Sequence, residues 1–472
     1  MKVSLKNVGM LDEADFEVGD LTIICGENNT GKTYATYSLY GYLDFMRTIR
    51  ETFLYRYKGT MREESEDKLQ IKENKWTYVE LKQILEQHIK AKANLYAKRK
   101  LVEVMAGKEE DFKISNFELK FDISPEKIKF AIKYYLESEQ LITREKRFFD
   151  HLMYDDGLVI KVKDLYQSRD IIYNYTPILL DSLLAVILPQ KFILSVERTG
   201  ASIFQQELDF NKITQMEVIK KIIQNKRMSF FELEKTRGER EQLYPKPVRD
   251  NIEFIRDLKQ ISRKSSIFKQ DKNDLYNIVL KALVRLVGGK YKVLDSGVEF
   301  QPKGSKKSYG IEIASSSVRS LLMLNYYILN VAQKGDILMI DEPELNLHPS
   351  NQILMGRLIA LLVNAGIKVF ITTHSDYIVR ELSNCVMLNN LSDEQINKLQ
   401  KKGYTKEYKL EFSKVKAYMA DRIRGKNILK PIKVNSNQGI FMDTFDEPIN
   451  SQNENQNLIF EEIIKAEHTN DK

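Results

Sequence analysis

The chain has 472 residues, with 73 lysines and arginines against 66 aspartates and glutamates, a formal net charge of +7. That length excludes a mini-scaffold stapled by disulfides or metal and fits two to four domains, or one core carrying large insertions. Charge this close to balance, spread over alternating signs, does not by itself announce a nucleic-acid partner. The two cysteines, Cys25 and Cys385, each sit in an apolar run that reads as a strand, which excludes a clustered-cysteine zinc site and fits a reducing cytoplasm. MKVSLKNVGM at the N-terminus has no apolar signal core, and the greasiest stretch, Pro177 to Pro189, carries Asp181 and is too short to span a bilayer. The expectation is a soluble cytoplasmic protein with no membrane partner.

In chain order, Val3, Leu5 and Val8, then Phe16 and Val18, then Leu21 to Cys25 read as short strands with turn signals between them. Directly after the third comes Gly26-Glu27-Asn28-Asn29-Thr30-Gly31-Lys32-Thr33, a full match to G-x-x-x-x-G-K-[ST]. The glycines let the backbone N–H groups of the loop, those of Asn28, Asn29 and Thr30 among them, turn inward on phosphates. Lys32 offers a point charge to the outer phosphates, and Thr33 a hydroxyl for Mg²⁺. A chance turn before a helix is the competing reading, and the strand-loop-helix setting argues against it. The following helix carries Tyr34, Tyr37, Leu39, Tyr40 and Leu43, a face that reads as packing rather than base stacking.

From Phe45 onward the pattern turns charged and mostly helical, with no Gly or Pro between Met61 and Gly107. Residues 1–44 therefore read as the first lobe of a head and 45–188 as a helical insertion. FILSVERTGASIF returns to the head over 189–206, and a second helical segment occupies 207–287. The head resumes over 288–435 with hairpin-like strands and a helix from Val318 to Val331, and 436–472 reads as a hairpin around Asn437-Gln438-Gly439 with a loosely held tail ending in a short helix.

Two strands in the last lobe end in residues capable of chemistry. ILMIDEPELNLHP delivers Asp341 and Glu342 to a strand's carboxyl end, where open α/β sheets place ligands. Asp341 suits Mg²⁺, and Glu342 suits orienting or deprotonating a water. VFITTHSDY ends at Thr372-Thr373-His374, where a histidine can sense a terminal phosphate. A lone histidine is more often structural; its neighbours here favour function. Ser315-Ser316-Ser317 opens a helix and taken alone is an ordinary cap.

Taken in order, phosphate loop, serine-rich helix start, D-E-P-E-x-x-L-H-P and T-T-H-S resemble the ABC-type ATPase heads of the RecF, SMC and OLD families. The nearest form is the compact one of prokaryotic AAA-type ATPases in anti-phage systems of the PARIS or Septu kind. The resemblance is strong over residues 1 to 44 and about 275 to 385, and Glu197-Arg198 is similar to an E-R element such ATPases carry. It implies an α/β head with a parallel or mixed sheet and large helical insertions, ATP and Mg²⁺ as cofactors, and Glu342 and His374 as catalytic residues. It further implies a head-to-tail dimer in which Ser315, Ser316 and Ser317 close on ATP held by the partner's phosphate loop, with Arg319 as a helper. Asn346, Leu347 and His348 would lie near the dimer seam.

The S-S-S signature departs from the L-S-G-G-Q of transporters, and no long heptad coiled coil fills the insertion. OLD nucleases need a D-x-D pair in a C-terminal module; none follows His374, and Asp443 and Asp446 read as hairpin residues. The leading expectation is a defence ATPase that assembles through ATP and controls a separate effector, a nuclease or toxin. The alternative is a RecF- or SMC-like repair or recombination ATPase on duplex DNA, hinted at by Lys98-Arg99-Lys100, Arg144 to Arg147 and Lys303 to Lys307, runs more often found on solvated faces. A nucleotide-locked structural subunit is a third reading, disfavoured by Glu342.

Overall fold

The computed structural model describes residues 1–56, 73–137, 149–154, 157–162, 179–203, 244–441 and 446–470. The main sheet has nine strands: β1 (Lys2–Val8), β2 (Leu11–Glu17), β3 (Leu21–Gly26), β4 (Asn116–Lys120), β5 (Lys191–Leu194), β6 (Ile337–Asp341), β7 (Lys368–Thr373), β8 (Val415–Ile423) and β9 (Lys426–Ile432). Their spatial order is β4-β1-β2-β9-β8-β3-β7-β6-β5. The run β8-β3-β7-β6-β5 is parallel throughout, whereas β4-β1-β2 and β9-β8 pair antiparallel, so the sheet is mixed. LTIIC in β3 and ILMID in β6 are buried at every residue, the pattern of a parallel strand covered on both faces.

Helices supply those covers. On one face lies α1 (Lys32–Arg56) with α2 (Tyr78–Arg99) and α3 (Pro125–Glu137); α4 (Lys246–Arg256) packs beside α1. On the other lie α5 (Asp274–Val287), α6 (Ser316–Tyr326), α7 (Pro349–Asn364) and α8 (Asp376–Met387). The aromatic face of α1 is core: Tyr37, Tyr40 and Tyr42 are buried, and Tyr42 stacks on Phe117 of β4 at 4.9 Å between centroids. Burial raises the pKa of all three phenols.

The structure departs from the sequence expectation in three places. The segment read as helical insertion contains strands, a small sheet of Glu73–Thr77, Gly157–Val162 and Phe149–Tyr154, and also β4, which extends the main sheet by pairing with β1. Within NFELK, Phe117 and Leu119 alternate inward, a period of two too short to stand out among the surrounding charges. Cys385 lies on a helix rather than a strand, because Ile378, Leu382, Cys385 and Val386 recur at helical spacing behind the Ser375 cap. Its thiol and that of Cys25 are buried and form no disulfide, and the Cys25 thiol donates to Tyr418 O at 3.3 Å. Finally, the tail holds a long helix, α9 (Asp446–Asn470), with Leu458, Ile459 and Phe460 exposed. The hairpin around Asn437 to Gly439 is present, Val434–Asn435 against Gly439–Ile440. Residues 207–243, Arg144 to Arg147 and Asp443 lie outside the described residues. Among the described residues no helix is long and apolar enough to cross a membrane.

Candidate functional site

Parallel register assembles the site. Pairing sets Asp341 opposite Thr372 and Thr373 opposite Cys25, so the carboxyl ends of β6, β7 and β3 finish level with one another. The loop after β3 then turns tightly into α1. Gly26 sits at φ +133° with Ala420 O 2.2 Å from where a Cβ would be, and Gly31 at φ +92°, so side chains at either position meet both strain and collision. Asn29, at φ +62°, is a residue type that tolerates the left-handed region.

Lys32 folds back over this loop. Its ammonium donates to the carbonyls of Gly26 at 3.0 Å and Glu27 at 2.5 Å, and burial lowers its pKa, with Asp341 and Glu342 opposing that effect. Thr30 Oγ1 donates to Glu27 O at 2.7 Å, closing the loop on itself.

At the end of β6, Asp341 is 1% exposed, accepts from Thr372 Oγ1, and has Thr33 Oγ1 3.4 Å from its Oδ2. Among the described residues no cationic side chain lies within ion-pair distance of it, and burial pushes its pKa up to about 6. A buried carboxylate with no ion-pair partner among the described residues, beside a hydroxyl from the phosphate loop, is a hard oxygen donor pair that fits Mg²⁺. Among the described residues there is no cage of three or more His, Cys, Asp or Glu. Such a cage is not needed, since Mg²⁺ usually takes one or two carboxylates plus phosphate oxygens of the substrate.

Glu342 adopts φ +50°, a left-handed conformation for a non-glycine residue, with its N–H bonded to Thr372 O at 3.0 Å. Its Oε1 stands 3.5 Å from His374 Nε2, both side chains being about 30% exposed (30% and 31%). Hydrogen bonding to His374 holds the Glu342 carboxyl below its ordinary pKa, so it is ionised at neutral pH. Glu344 fixes the opposite strand end: it accepts from Thr373 Oγ1 at 2.8 Å and from the His374 N–H at 2.7 Å, while burial raises its pKa.

The serine triplet is built differently. Ser315 caps α6, accepting from the Val318 N–H at 3.4 Å, and its Oγ lies 3.0 Å from that of Ser317. Ser315 is exposed and the other two are half-buried. Arg319, on α6, donates to Glu312 O at 3.1 Å in the segment just before that helix. Asn346 is exposed at φ +61°, Leu347 is buried, and His348 caps α7 by accepting from the Ser350 N–H.

Sequence reasoning underweighted Arg198. It is 2% exposed and lies under the acidic pair, donating from Nη1 to Asp341 O and from Nη2 to Glu342 O, each at 2.7 Å. The signal available was Glu197-Arg198 directly after a strand. The run Lys98-Arg99-Lys100 is bland by contrast: Lys98 and Arg99 close the last turn of α2, where cations complement the helix dipole, and Lys100 pairs with Glu103 at 2.8 Å.

Among solved structures, the chain is similar to an SMC head bound to the C-winged helix domain of ScpA: 11% identity, 92% of this chain and 97% of that one, TM-score 0.35. It is also similar to an SMC head with an extended coiled coil bound to the C-terminal domain of ScpA, from Pyrococcus furiosus, at 12% identity, 96% and 98% coverage, and TM-score 0.30. A third is the SMC head of Thermotoga maritima, at 11%, 92% and 98%, with TM-score 0.29. Likeness at these scores carries no argument about activity. No curated protein matches. The model of the AAA ATPase domain family matches residues 1–379, the span that contains the loop, the acidic pair, the serine helix and His374, and the chain belongs to that family.

Proposed function

We propose that this protein is an ATP-hydrolysing clamp of the cytoplasm whose two-copy assembly is made and released by the nucleotide. The observation that carries the reading is the convergence, at one sheet edge, of Lys32, Thr33, Asp341 and the Glu342–His374 pair. Loop N–H groups and Lys32 bind the phosphates of ATP. Thr33 Oγ1 and Asp341 Oδ2 hold Mg²⁺, which when bound neutralises charge on the phosphate oxygens. Glu342, ionised and aimed by its fixed backbone, orients the attacking water and takes its proton on a carboxylate oxygen as ATP is cleaved to ADP and phosphate. His374 Nε2, facing that carboxylate, reports whether the terminal phosphate is in place. Ser315, Ser316 and Ser317, with the free N–H groups that open α6, bind the phosphates of ATP held by a second copy.

On this reading the clamp controls a separate effector, a nuclease or toxin, in a prokaryotic anti-phage system. Its support is the resemblance of the motif order, together with the large segments inserted between β3 and β5 and between β5 and α5, which offer surface beyond the ATPase core. Among the described residues no observation favours the duplex-DNA alternative. Phosphate release by the wild type beside Glu342→Gln, with and without duplex DNA at moderate salt, tests both. Turnover that depends on Glu342 and ignores DNA is expected; turnover independent of Glu342 defeats the clamp, and strong DNA stimulation favours the repair-type machine.

A further inference from the structure

Arg198 has an unusual set of partners for a buried charge. Among the described residues its guanidinium donates only to backbone carbonyls: Nε to Ser320 O at 3.3 Å, Nη1 to Ser195 O at 2.8 Å and Asp341 O at 2.7 Å, Nη2 to Glu342 O at 2.7 Å. Among the described residues no carboxylate lies within ion-pair distance of it. The carbonyls of Asp341 and Glu342 belong to the two peptide planes that flank the Glu342 Cα. Peptide units are rigid, so fixing both planes fixes φ and ψ of Glu342, and with them the direction of its Cα–Cβ bond. That conformation is the left-handed one at φ +50°, which a glutamate does not adopt unless its surroundings impose it. Through Ser320 O the same guanidinium grips α6, the helix that carries Ser315 to Ser317.

We infer that Arg198 is a positioning residue for ATP hydrolysis: its planar fork holds the peptides around Glu342 so that the carboxylate meets His374 and the attacking water. The inference rests on the proposed role of Glu342. Lysine at this position keeps the charge but loses the fork, since a single ammonium cannot grip two carbonyls in one plane along with a third on α6. The substitution is therefore conservative in charge and not in geometry. Among the described residues Arg198 makes no hydrogen bond to the loop after β3, and its bond to Asp341 is to the main-chain carbonyl rather than to the Oδ2 assigned to Mg²⁺.

The test is a cycle of Arg198→Lys, Glu342→Gln and the double variant, read by steady-state and single-turnover hydrolysis and by fluorescent-ATP titration. Arg198→Lys should lower kcat roughly hundredfold, as misplacement of a reacting group does, with KM and ATP affinity within about threefold of the wild type. In the Glu342→Gln background, where the positioned carboxylate is already gone, it should slow the residual reaction by less than about threefold. A rate loss that multiplies equally in both backgrounds, or that matches a loss of ATP affinity, overturns the inference in favour of a purely structural arginine. If Arg198→Lys fails to fold by thermal melting, Arg198→Gln, uncharged but with two N–H donors, takes its place in the same cycle with the same criteria. Should Glu342→Gln turn over ATP as fast as the wild type, the role of Glu342 fails and the positioning role falls with it. That outcome is distinct from a slow Glu342→Gln beside a fully active Arg198→Lys, which sinks the inference alone.

Discussion

The two halves of the candidate nucleotide site are built by opposite rules. On the phosphate-loop side, Lys32, Asp341, Glu344 and Arg198 are largely withdrawn from water, and most of their hydrogen bonds run to backbone or hydroxyl groups of neighbouring strand ends. On the serine side, the hydroxyl of Ser315 stands in solvent and its bonds go no further than Ser317 and Val318. The first half has already met the desolvation cost of its charges within one chain and is organised before any ligand arrives. The second is a helix start with N–H groups to offer, and on the proposed function its ligand comes with another copy.

Removing Lys32 should break the contrast most severely. Lys32→Ala is expected to weaken ATP binding by roughly a hundredfold or more, because charge-assisted bonds to the outer phosphates are lost; titration with fluorescent ATP reads this directly. Glu342→Gln should slow hydrolysis by about 10²–10⁴-fold, the usual worth of a positioned general base, while leaving ATP bound. Light-scattering mass should then show an ATP-dependent dimer that persists, and an equal mass with and without ATP counts against the clamp.

Asp341 sharpens the buried half. Its carboxyl titrates near 3.8 when unfolded and about 6 when folded, since burial disfavours the charge. The folded state therefore holds the proton more tightly: the benefit is full below pH 4 and is lost as pH rises through about 6. At about 1.4 kcal/mol per pKa unit, the apo protein at neutral pH carries a penalty on the order of 3 kcal/mol. Asp341→Asn should thus raise apo stability at pH 7.5 in urea unfolding, with the gain fading by pH 4. An Asn variant no more stable than the wild type at pH 7.5 contradicts the cost of burying the Asp341 charge.

The serine half predicts smaller effects on the single chain. A glutamate at Ser316 suits a helix N-terminus, so Ser316→Glu should leave stability within about 1 kcal/mol of wild type. ATP affinity of the monomer should also hold, yet the added charge opposes incoming phosphates and should abolish the ATP-dependent dimer. Loss of monomer ATP binding instead would place the serines in the chain's own site. Smallest is Ser315→Ala, which removes the α6 cap and should cost about 1 kcal/mol of stability, read as a lowered urea midpoint.

Much of this site was legible before folding because its signals are local. A phosphate loop needs its glycines, lysine and threonine within eight consecutive positions, and strands that end in Asp341-Glu342 or Thr372-Thr373-His374 show themselves by apolar runs stopping at polar residues. The strand β4 was not legible, since two inward residues, Phe117 and Leu119, in a charged stretch resemble one helical turn as well as a short strand. Nor was Cys385, whose apolar neighbours fit a strand until the Ser375 cap and helical spacing are weighed together.

What the sequence alone determined, then, is the chemistry available: a loop for phosphates, carboxylates and a histidine at strand ends, and hydroxyls at a helix start. Tertiary structure decided which of these groups meet. The parallel register of β3, β7 and β6 sets Thr33 beside Asp341, 308 residues further along the chain. Folding likewise carries Arg198 across 144 residues to hold the carbonyl of Glu342. Contacts of that span leave no periodic trace in a sequence, because they are selected by the register of a sheet and by burial, which only the folded chain possesses.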